Sequence, residues 1–124
     1  MGREEQVVTA GKVRSELRED ISVITIDNPP TAALSAEVRQ ELAAELAKAA
    51  DDSDVKAVVI TGSGGSFATG AGVNEDPDEN TPTLAEICDR IEVFDKPVVV
   101  AIAGAALGGG LEVALAAHLS LIHI

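Results

Sequence analysis

The apolar residues of the chain are concentrated in three short runs that are rich in β-branched residues. These runs are Ile21–Asp27 (ISVITID), Val55–Thr61 (VKAVVIT) and Val98–Ile102 (VVVAI), and each predicts a β-strand. The middle run is apolar along most of its length, which predicts a strand buried on both faces. In the charged N-terminal segment only Val7 and Val8 suggest a strand, at the edge of a sheet.

Two segments between these strands have the apolar spacing of amphipathic helices. An apolar residue recurs at every fourth position over Leu34–Leu46, behind Ser35, which is a favourable N-cap residue. This pattern predicts a helix that runs to about Ala50. Thr83–Phe94 has apolar residues at spacings of one, three and four, which predicts a second helix with one buried face.

Glycine-rich segments follow two of the predicted strands. The first glycine segment is Gly62–Gly72 (GSGGSFATGAG), and the second is Gly108–Gly110, just before an alanine-rich helix expected to start around Glu112. Glycine lets backbone N–H groups approach a ligand, and a helix start adds unpaired N–H groups with partial positive charge. This combination predicts a site for an anion or for an oxyanion that develops during a reaction.

The elements alternate along the chain between strands and helices, with the glycine segments at the ends of strands. This order predicts an α/β fold with largely parallel strands. Because ligand sites in such folds form at the carboxyl ends of the strands, both glycine segments are expected on the binding edge of the sheet.

Composition narrows the choice of function. The 124 residues suit one domain, and a net charge of −12 argues against binding to nucleic acid or to an anionic membrane surface. Cys88 is the only cysteine, which excludes an intrachain disulfide and suits a reducing, cytoplasmic location, and its place on an apolar helix face predicts a core position. No apolar run reaches transmembrane length, and no signal peptide is recognisable.

Several common site motifs are absent from the sequence. The glycine segments match neither a P-loop nor the G-x-G-x-x-G dinucleotide pattern, and there is no G-x-S-x-G nucleophile motif. His118 and His123 lie outside any metal-ligand spacing, so no metal site is expected and both are interpreted as structural or incidental.

Three stretches of the sequence resemble the enoyl-CoA hydratase/isomerase (crotonase) superfamily. They are VITIDNPPTAALS, VKAVVITGSGGSFATGAG and KPVVVAIAGAALGGGLEVALAAH, and the resemblance covers Ile21–His118. The sequences of these motifs are most similar to those in the hydratase parts of fatty-acid oxidation enzymes. The resemblance implies a crotonase-like spiral of ββα units, with the chain forming a single partial domain that is truncated after the third unit.

The resemblance also implies a reaction and a set of residues. Family members bind acyl-CoA thioesters, with coenzyme A as part of the substrate and no separate cofactor. Backbone N–H groups of Ala71 and Gly109 would form the oxyanion hole, and Glu112, at a dry helix start, would be one of two catalytic glutamates. Ala68 would lie along the bound coenzyme A, and the adjoining substrate-binding positions would be Gly70, Gly108 and Gly110.

The sequence departs from the family pattern at several points. Gly72 stands where aspartate is usual, and Ala32 stands where asparagine is usual. The second catalytic glutamate lies beyond the next strand in the family, and this sequence ends before it. The final residues, LSLIHI, do not resemble the family, and two interpretations stay open: an apolar strand over Leu119–Ile124 or a tail foreign to the gene.

Three functional hypotheses follow from these features. The first is the N-terminal part of an enoyl-CoA hydratase, which adds water to a trans-2-enoyl-CoA in fatty-acid β-oxidation. The second is a non-catalytic fragment that binds acyl-CoA or takes part in assembly, and the third is another activity of the superfamily, such as that of an isomerase or a hydrolase. The resemblance also implies that full-length relatives form trimers or hexamers.

The isolated chain is expected to self-associate if its helices lack cover. In the family, later helices cover the acyl pocket and build the trimer interface, so the apolar faces of the first two helices are expected to need cover from them. The residues on these faces are Val38, Leu42, Leu46, Ile87 and Ile91.

Overall fold

The computed structural model describes residues 7–29, 32–63, 66–68, 80–106 and 109–123. Over these residues the chain forms strands and helices in the order β1-β2-β3-α1-β4-β5-α2-β6-β7-α3-β8. The strands are β1 (Val7–Ala10), β2 (Val13–Arg18), β3 (Ile21–Ile26), β4 (Ala57–Gly62), β5 (Ser66–Ala68), β6 (Val98–Ala103), β7 (Ala105–Ala106) and β8 (Leu119–His123). The helices are α1 (Ala36–Asp51), α2 (Leu84–Glu92) and α3 (Gly109–Ala116).

The elements repeat as three ββα units, namely β2-β3-α1, β4-β5-α2 and β6-β7-α3. One six-stranded sheet has the order β1-β2-β3-β4-β6-β8, and β5 and β7 form a small second sheet. Strands β3, β4, β6 and β8 run parallel, as predicted, whereas β1, β2 and β3 are antiparallel. None of the described helices is long and apolar enough to cross a membrane.

The main sheet is fully buried on one face only. Along β4, Val58 and Ile60 are completely buried, whereas the alternate residues Ala57 and Val59 are only half-buried. The prediction that β4 is buried on both faces is therefore wrong. Side chains alternate between the two faces of a strand, and only the face that carries Val58 and Ile60 is fully covered.

The apolar faces of α1 and α2 are covered within the chain itself. All five residues expected to need outside cover are at most 2% exposed and belong to one core cluster with the sheet. That expectation is wrong, because strands of the same chain supply the cover. Within the described ranges, the exposed large apolar side chains are Val93, Leu111, Leu115 and Leu119.

The predicted N-cap of α1 is confirmed, and α2 has a cap of the same kind that was not predicted. The Ser35 hydroxyl accepts a hydrogen bond from the Val38 N–H at the start of α1, and Thr83 caps α2 in the same way. At the other end of α1, the Lys96 ammonium donates to the carbonyl oxygens of Ala49 and Asp52, at 2.7 and 2.8 Å. A cation here compensates both the unpaired carbonyls and the negative end of the helix dipole.

The β1–β2 hairpin confirms the suggested edge strand and adds a strand that was not predicted. Its turn lies against α1, where the Glu41 carboxylate accepts hydrogen bonds from the Lys12 and Val13 N–H groups at 3.0 and 3.2 Å. Gly11 has a φ of 73°, and a Cβ at this position would lie 2.8 Å from the Glu41 carboxylate oxygens. The turn therefore favours glycine for its conformation, whereas the Glu41 carboxylate, as the end of a flexible side chain, could move away from an added Cβ.

Among the residues that the structure describes, two non-glycine residues adopt the left-handed conformation. Ala32 has a φ of 56° and is 1% exposed, so the turn keeps a conformation that asparagine tolerates better than alanine. This position is one of the two departures from the family motif. Glu19, in the exposed β2–β3 turn, has a φ of 57°.

The Glu19 conformation predicts a stabilising substitution. Replacing Glu19 by glycine should raise the free energy of unfolding by about 1 kcal/mol, because glycine adopts positive φ without a Cβ penalty. Urea denaturation would measure the change. Asp20→Gly is the matched control: it removes the same charge from the same turn at a residue without positive φ. If both variants change stability equally, backbone strain at Glu19 is not the cause.

Candidate functional site

The two glycine segments are brought together by the small second sheet. Strand β5 lies inside the first glycine segment and pairs in parallel with β7, with Ser66 opposite Ala105 and Ala68 opposite Ala106. Neither short strand was predicted, because each lacks the length and the alternation that mark a strand in sequence. Their pairing places the end of β5 beside the chain that leads into α3.

Gly110 packs directly against the backbone of Ala68. A Cβ on Gly110 would lie 2.5 Å from the Ala68 carbonyl carbon and closer still to the carbonyl oxygen. These are backbone atoms, which cannot rotate away as a flexible side chain can. Only glycine therefore allows the first turn of α3 to pack on the end of β5. Ala68 is completely buried at this contact.

Helix α3 begins at Gly109, three residues before the predicted start around Glu112. The second glycine segment is thus partly helical, and Gly109 supplies one of the first N–H groups of the helix. Such N–H groups have no partner within the helix and are available to a ligand. Gly70, Ala71 and Gly108, which were also predicted to belong to the site, lie outside the described residues.

Glu112 lies in the first turn of α3, with its side chain exposed. Its negative charge is favourable near the positive end of the helix dipole. The prediction of a dry environment for this carboxylate is wrong over the described residues, since α3 turns Val113 and Ala114 rather than Glu112 toward the core.

The Cys88 thiol on α2 is affected by burial and by nearby carboxylates. Burial raises the pKa of the Cys88 thiol above its usual value, and the carboxylates of Glu112, Asp89 and Glu92 raise it further. The thiol is half-buried against the core rather than fully within it. Helices α2 and α3 pack against each other, so the Glu112 charge on α3 acts on the thiol of α2.

Sequence reasoning missed a polar cluster at the carboxyl ends of β3 and β4. The Ser63 hydroxyl donates to Asp27 at 2.8 Å, and the Arg14 guanidinium donates to the other oxygen of the same carboxylate at 3.1 Å. The Ser63 N–H also donates to the carbonyl of Ile26 at 3.0 Å. The cluster fastens the beginning of the first glycine segment to the neighbouring strand. Its members are far apart in sequence, so no local motif identifies it.

His118 has the structural role that was predicted. Its Nδ1 accepts a hydrogen bond from the Val98 N–H at 3.0 Å, and its Nε2 lies 3.2 Å from the carbonyl oxygen of Glu92. The imidazole thus joins the start of β6 to the end of α2. Among the described residues no group of His, Cys, Asp and Glu side chains could hold a metal ion.

Residues 119–123 form the strand β8, which pairs in parallel with β6 from Val99↔Leu119 to Ala103↔His123. The predicted apolar strand over the C-terminal residues is therefore confirmed for Leu119–His123. The other interpretation, a tail foreign to the gene, stays a prediction.

Comparison with known proteins supports the interpretation of these motifs. A family model described as enoyl-CoA hydratase/isomerase matches residues 16–123. A protein of Bacillus subtilis (strain 168) named "Probable enoyl-CoA hydratase" is 41% identical over 109 residues, which are 82% of this chain and 42% of that protein. The "Peroxisomal bifunctional enzyme" of Danio rerio is 42% identical over 108 residues, which are 86% of this chain and 15% of that protein.

A similar fold is found among solved structures. An enoyl-CoA hydratase/isomerase from Xanthobacter autotrophicus Py2 superposes with a TM-score of 0.80 at 30% identity, over 92% of this chain and 46% of that one. The crotonase-like α/β fold is thereby confirmed. The chain spans less than half the length of each of these three relatives. The match over residues 16–123 and the shared fold show that the chain belongs to the enoyl-CoA hydratase/isomerase family.

Proposed function

We propose that the chain is the N-terminal part of an enoyl-CoA hydratase, which adds water to a trans-2-enoyl-CoA to give a 3-hydroxyacyl-CoA. The observation that carries the proposal is the contact of Gly110 with the backbone of Ala68, because it joins the two motifs that together would bind the thioester. In the reaction the oxygen of water forms a bond to C3, a proton is added at C2, and the carbon–carbon double bond becomes a single bond.

The oxyanion hole of this proposal consists of the N–H groups of Ala71 and Gly109. Gly109 is the first residue of α3 and adjoins Gly110. Ala71 follows Ala68 by three residues, a span of about 10 Å at most for an extended chain. The thioester oxygen gains negative charge as water adds to C3, and two donors aimed at it would stabilise that charge. Each such donor contributes about 3 kcal/mol in comparable sites.

Glu112 is the proposed acid/base of this chain. Its place in the first turn of α3, three residues after the Gly109 donor, would bring the carboxylate near a substrate bound at the helix start. The relatives are longer than the part that this chain spans. We expect the partner glutamate and the residues that enclose the acyl chain to belong to the rest of those proteins.

Two other functions use the same site. A non-catalytic acyl-CoA-binding or assembly fragment would keep the oxyanion donors without completing the acid/base pair. An isomerase or a hydrolase of the same superfamily would use the same oxyanion hole with other proton transfers. Glu112, which occupies a position of the hydratase motif, favours hydration over these alternatives.

The cytoplasmic location inferred from the single cysteine stays a prediction.

Gly110→Ala tests the contact that the site depends on. An alanine in a helix normally stabilises it by about 1 kcal/mol relative to glycine, but here the added Cβ would meet the Ala68 backbone. We expect the opposite sign, a loss of about 1–3 kcal/mol in the free energy of unfolding, together with weaker binding of butyryl-CoA. Leu111→Ala, at the next and exposed position, should affect neither. A stabilised Gly110→Ala variant would contradict the close packing.

Glu112→Gln tests the proposed reaction. If the purified chain hydrates crotonyl-CoA, measured by the loss of its conjugated ultraviolet absorbance, this variant should lower the rate about a hundredfold or more. Glu92→Gln is the control, because it removes the same charge from an exposed position on α2. Binding of butyryl-CoA without hydration would favour the non-catalytic fragment. A chain that neither binds nor hydrates would contradict both hypotheses.

The same substitution should change the reactivity of Cys88. Removing the Glu112 charge lowers the raised pKa of the thiol, so more thiolate is present at a given pH below that pKa. Alkylation by iodoacetamide at about pH 8 should therefore become faster. Glu45→Gln, on α1, removes an equal charge that does not act on the thiol and should leave the rate unchanged. Equal rates in both variants would place Glu112 away from Cys88.

A further inference from the structure

We propose that Ser63 and Asp27 are positioning residues for the candidate site, because their side chains fix the point at which the first glycine segment leaves the main sheet. Both act through the backbone that follows Ser63 rather than through contact with a substrate. Where it concerns acyl-CoA binding, the proposal rests on the proposed function, whereas its effect on the backbone is measurable without any ligand.

Ser63 lies where the chain passes from the main sheet to the small second sheet. Gly62 is the last residue of β4 and pairs with Ile26, and the Ser63 N–H extends this ladder by donating to the Ile26 carbonyl at 3.0 Å. Two residues separate Ser63 from Ser66, the first residue of β5, so this connection spans about 10 Å at most. The position of Ser63 therefore limits where β5 can lie.

Polar groups from three strands meet at this point. The carboxylate of Asp27, which directly follows β3, accepts hydrogen bonds from the Ser63 hydroxyl at 2.8 Å and from Arg14 on β2 at 3.1 Å. The Asp27 N–H donates to the carbonyl oxygen of Lys12 at 2.7 Å. With its backbone and one carboxylate oxygen both bound, Asp27 is held in the orientation that receives the Ser63 hydroxyl.

The corresponding departure from β6 uses glycine instead of a side chain. Gly104 follows the last residue of β6 with a φ of 88° and leads directly into β7 at Ala105. Glycine adopts this conformation without a Cβ penalty. Ser63 does not have a positive φ. A side-chain hydrogen bond, rather than a special backbone conformation, therefore marks the point where the first glycine segment departs.

The segment that Ser63 fixes carries the contact on which the candidate site depends. Strand β5 ends at Ala68, and the Ala68 backbone packs against Gly110 in the first turn of α3. A displacement at Ser63 would reach this contact and change the spacing of the backbone donors proposed for the oxyanion hole. Such donors act through preorganisation, so a loosened segment would weaken binding although no binding group is lost.

The exposure of this cluster indicates a local rather than a global effect. The Asp27 side chain is 48% exposed and the Arg14 side chain 38% exposed. Polar pairs at such exposure contribute little to the stability of a whole domain. We therefore expect the hydrogen bond between Asp27 and Ser63 to order the segment that follows it, with little effect on the unfolding of the chain.

Hydrogen exchange of the chain without ligand tests the effect on the backbone. Ser63→Ala should accelerate exchange of the β5 and β7 amides about two- to tenfold, the range for loss of one hydrogen bond, while exchange in β3 stays the same. Ser63→Thr, which keeps the hydroxyl, should restore the protection. Ser53→Ala is the matched control, because Ser53 lies in the exposed turn before β4. Unchanged exchange in β5 and β7, or equal acceleration in β3, would overturn the proposal.

A double-mutant cycle tests whether the two side chains act together. Asp27→Ala and Ser63→Ala remove the same hydrogen bond, so the double variant should exchange in β5 no faster than the more affected single variant. Additive effects of the two substitutions would mean that the hydroxyl and the carboxylate act separately. That result would overturn the assignment to their hydrogen bond.

Binding of butyryl-CoA, measured by isothermal titration calorimetry, tests the positioning role. Ser63→Ala should weaken binding about two- to tenfold at an unchanged urea midpoint, and Ser63→Thr should restore the affinity. Ser53→Ala should bind like the unaltered chain. Equally tight binding by Ser63→Ala would overturn the positioning role even if β5 exchanges faster.

The same titration separates failure of this proposal from failure of the proposed function. If the unaltered chain binds no butyryl-CoA, the proposed function is contradicted and the positioning role in that site is overturned with it. The exchange rates of β5 and β7 then still decide whether the hydrogen bond between Asp27 and Ser63 fixes the segment.

Discussion

The close approach of Gly110 to the backbone of Ala68 is the constraint on which the site depends. Ala68 is held by the pairing of β5 with β7, and Gly110 by its position in the first turn of α3. A side chain between them would have to displace a strand or a helix, and both are tied to the same core. The absence of a single methyl group thus decides whether the two glycine segments can lie side by side.

The main sheet positions the two segments that make this contact. Strands β4 and β6 lie next to each other, and each continues into one strand of the small second sheet. The pairing of β5 with β7 therefore brings residues near positions 68 and 110 together. Hydrogen bonds outside the units add to this order: Asp27 and Ser63 connect the ends of β3 and β4, and His118 connects β6 to α2.

Much of this architecture could be predicted from local patterns. The helices α1 and α2 and the three central strands have clear apolar periodicity and recognisable caps, and the structure has them within a few residues of the predicted ends. Strand β2 was missed because its sequence, VRSELR, is mostly polar, and β5 and β7 because they are only three and two residues long. Such strands are defined by their partners rather than by their own sequence.

For the site, sequence identified the right segments but not the way they fit. The resemblance pointed to Ala68, Gly109, Gly110 and Glu112, yet only coordinates show that Gly110 faces the Ala68 carbonyl and that Glu112 is open to solvent. Burial depends on which elements pack together, so a motif alone could not specify it. For the same reason, the sequence could not show that strands of the same chain cover the apolar faces of α1 and α2.

The lysine at the end of α1 has a consequence for the order of events in folding. Lys96 reaches carbonyl oxygens that lie 47 and 44 positions earlier in the chain, so its hydrogen bonds close a long loop. Closing such a loop is entropically unfavourable until the strands on either side have paired. We therefore expect this contact to form after the transition state. It then slows the unfolding of α1 without accelerating its folding.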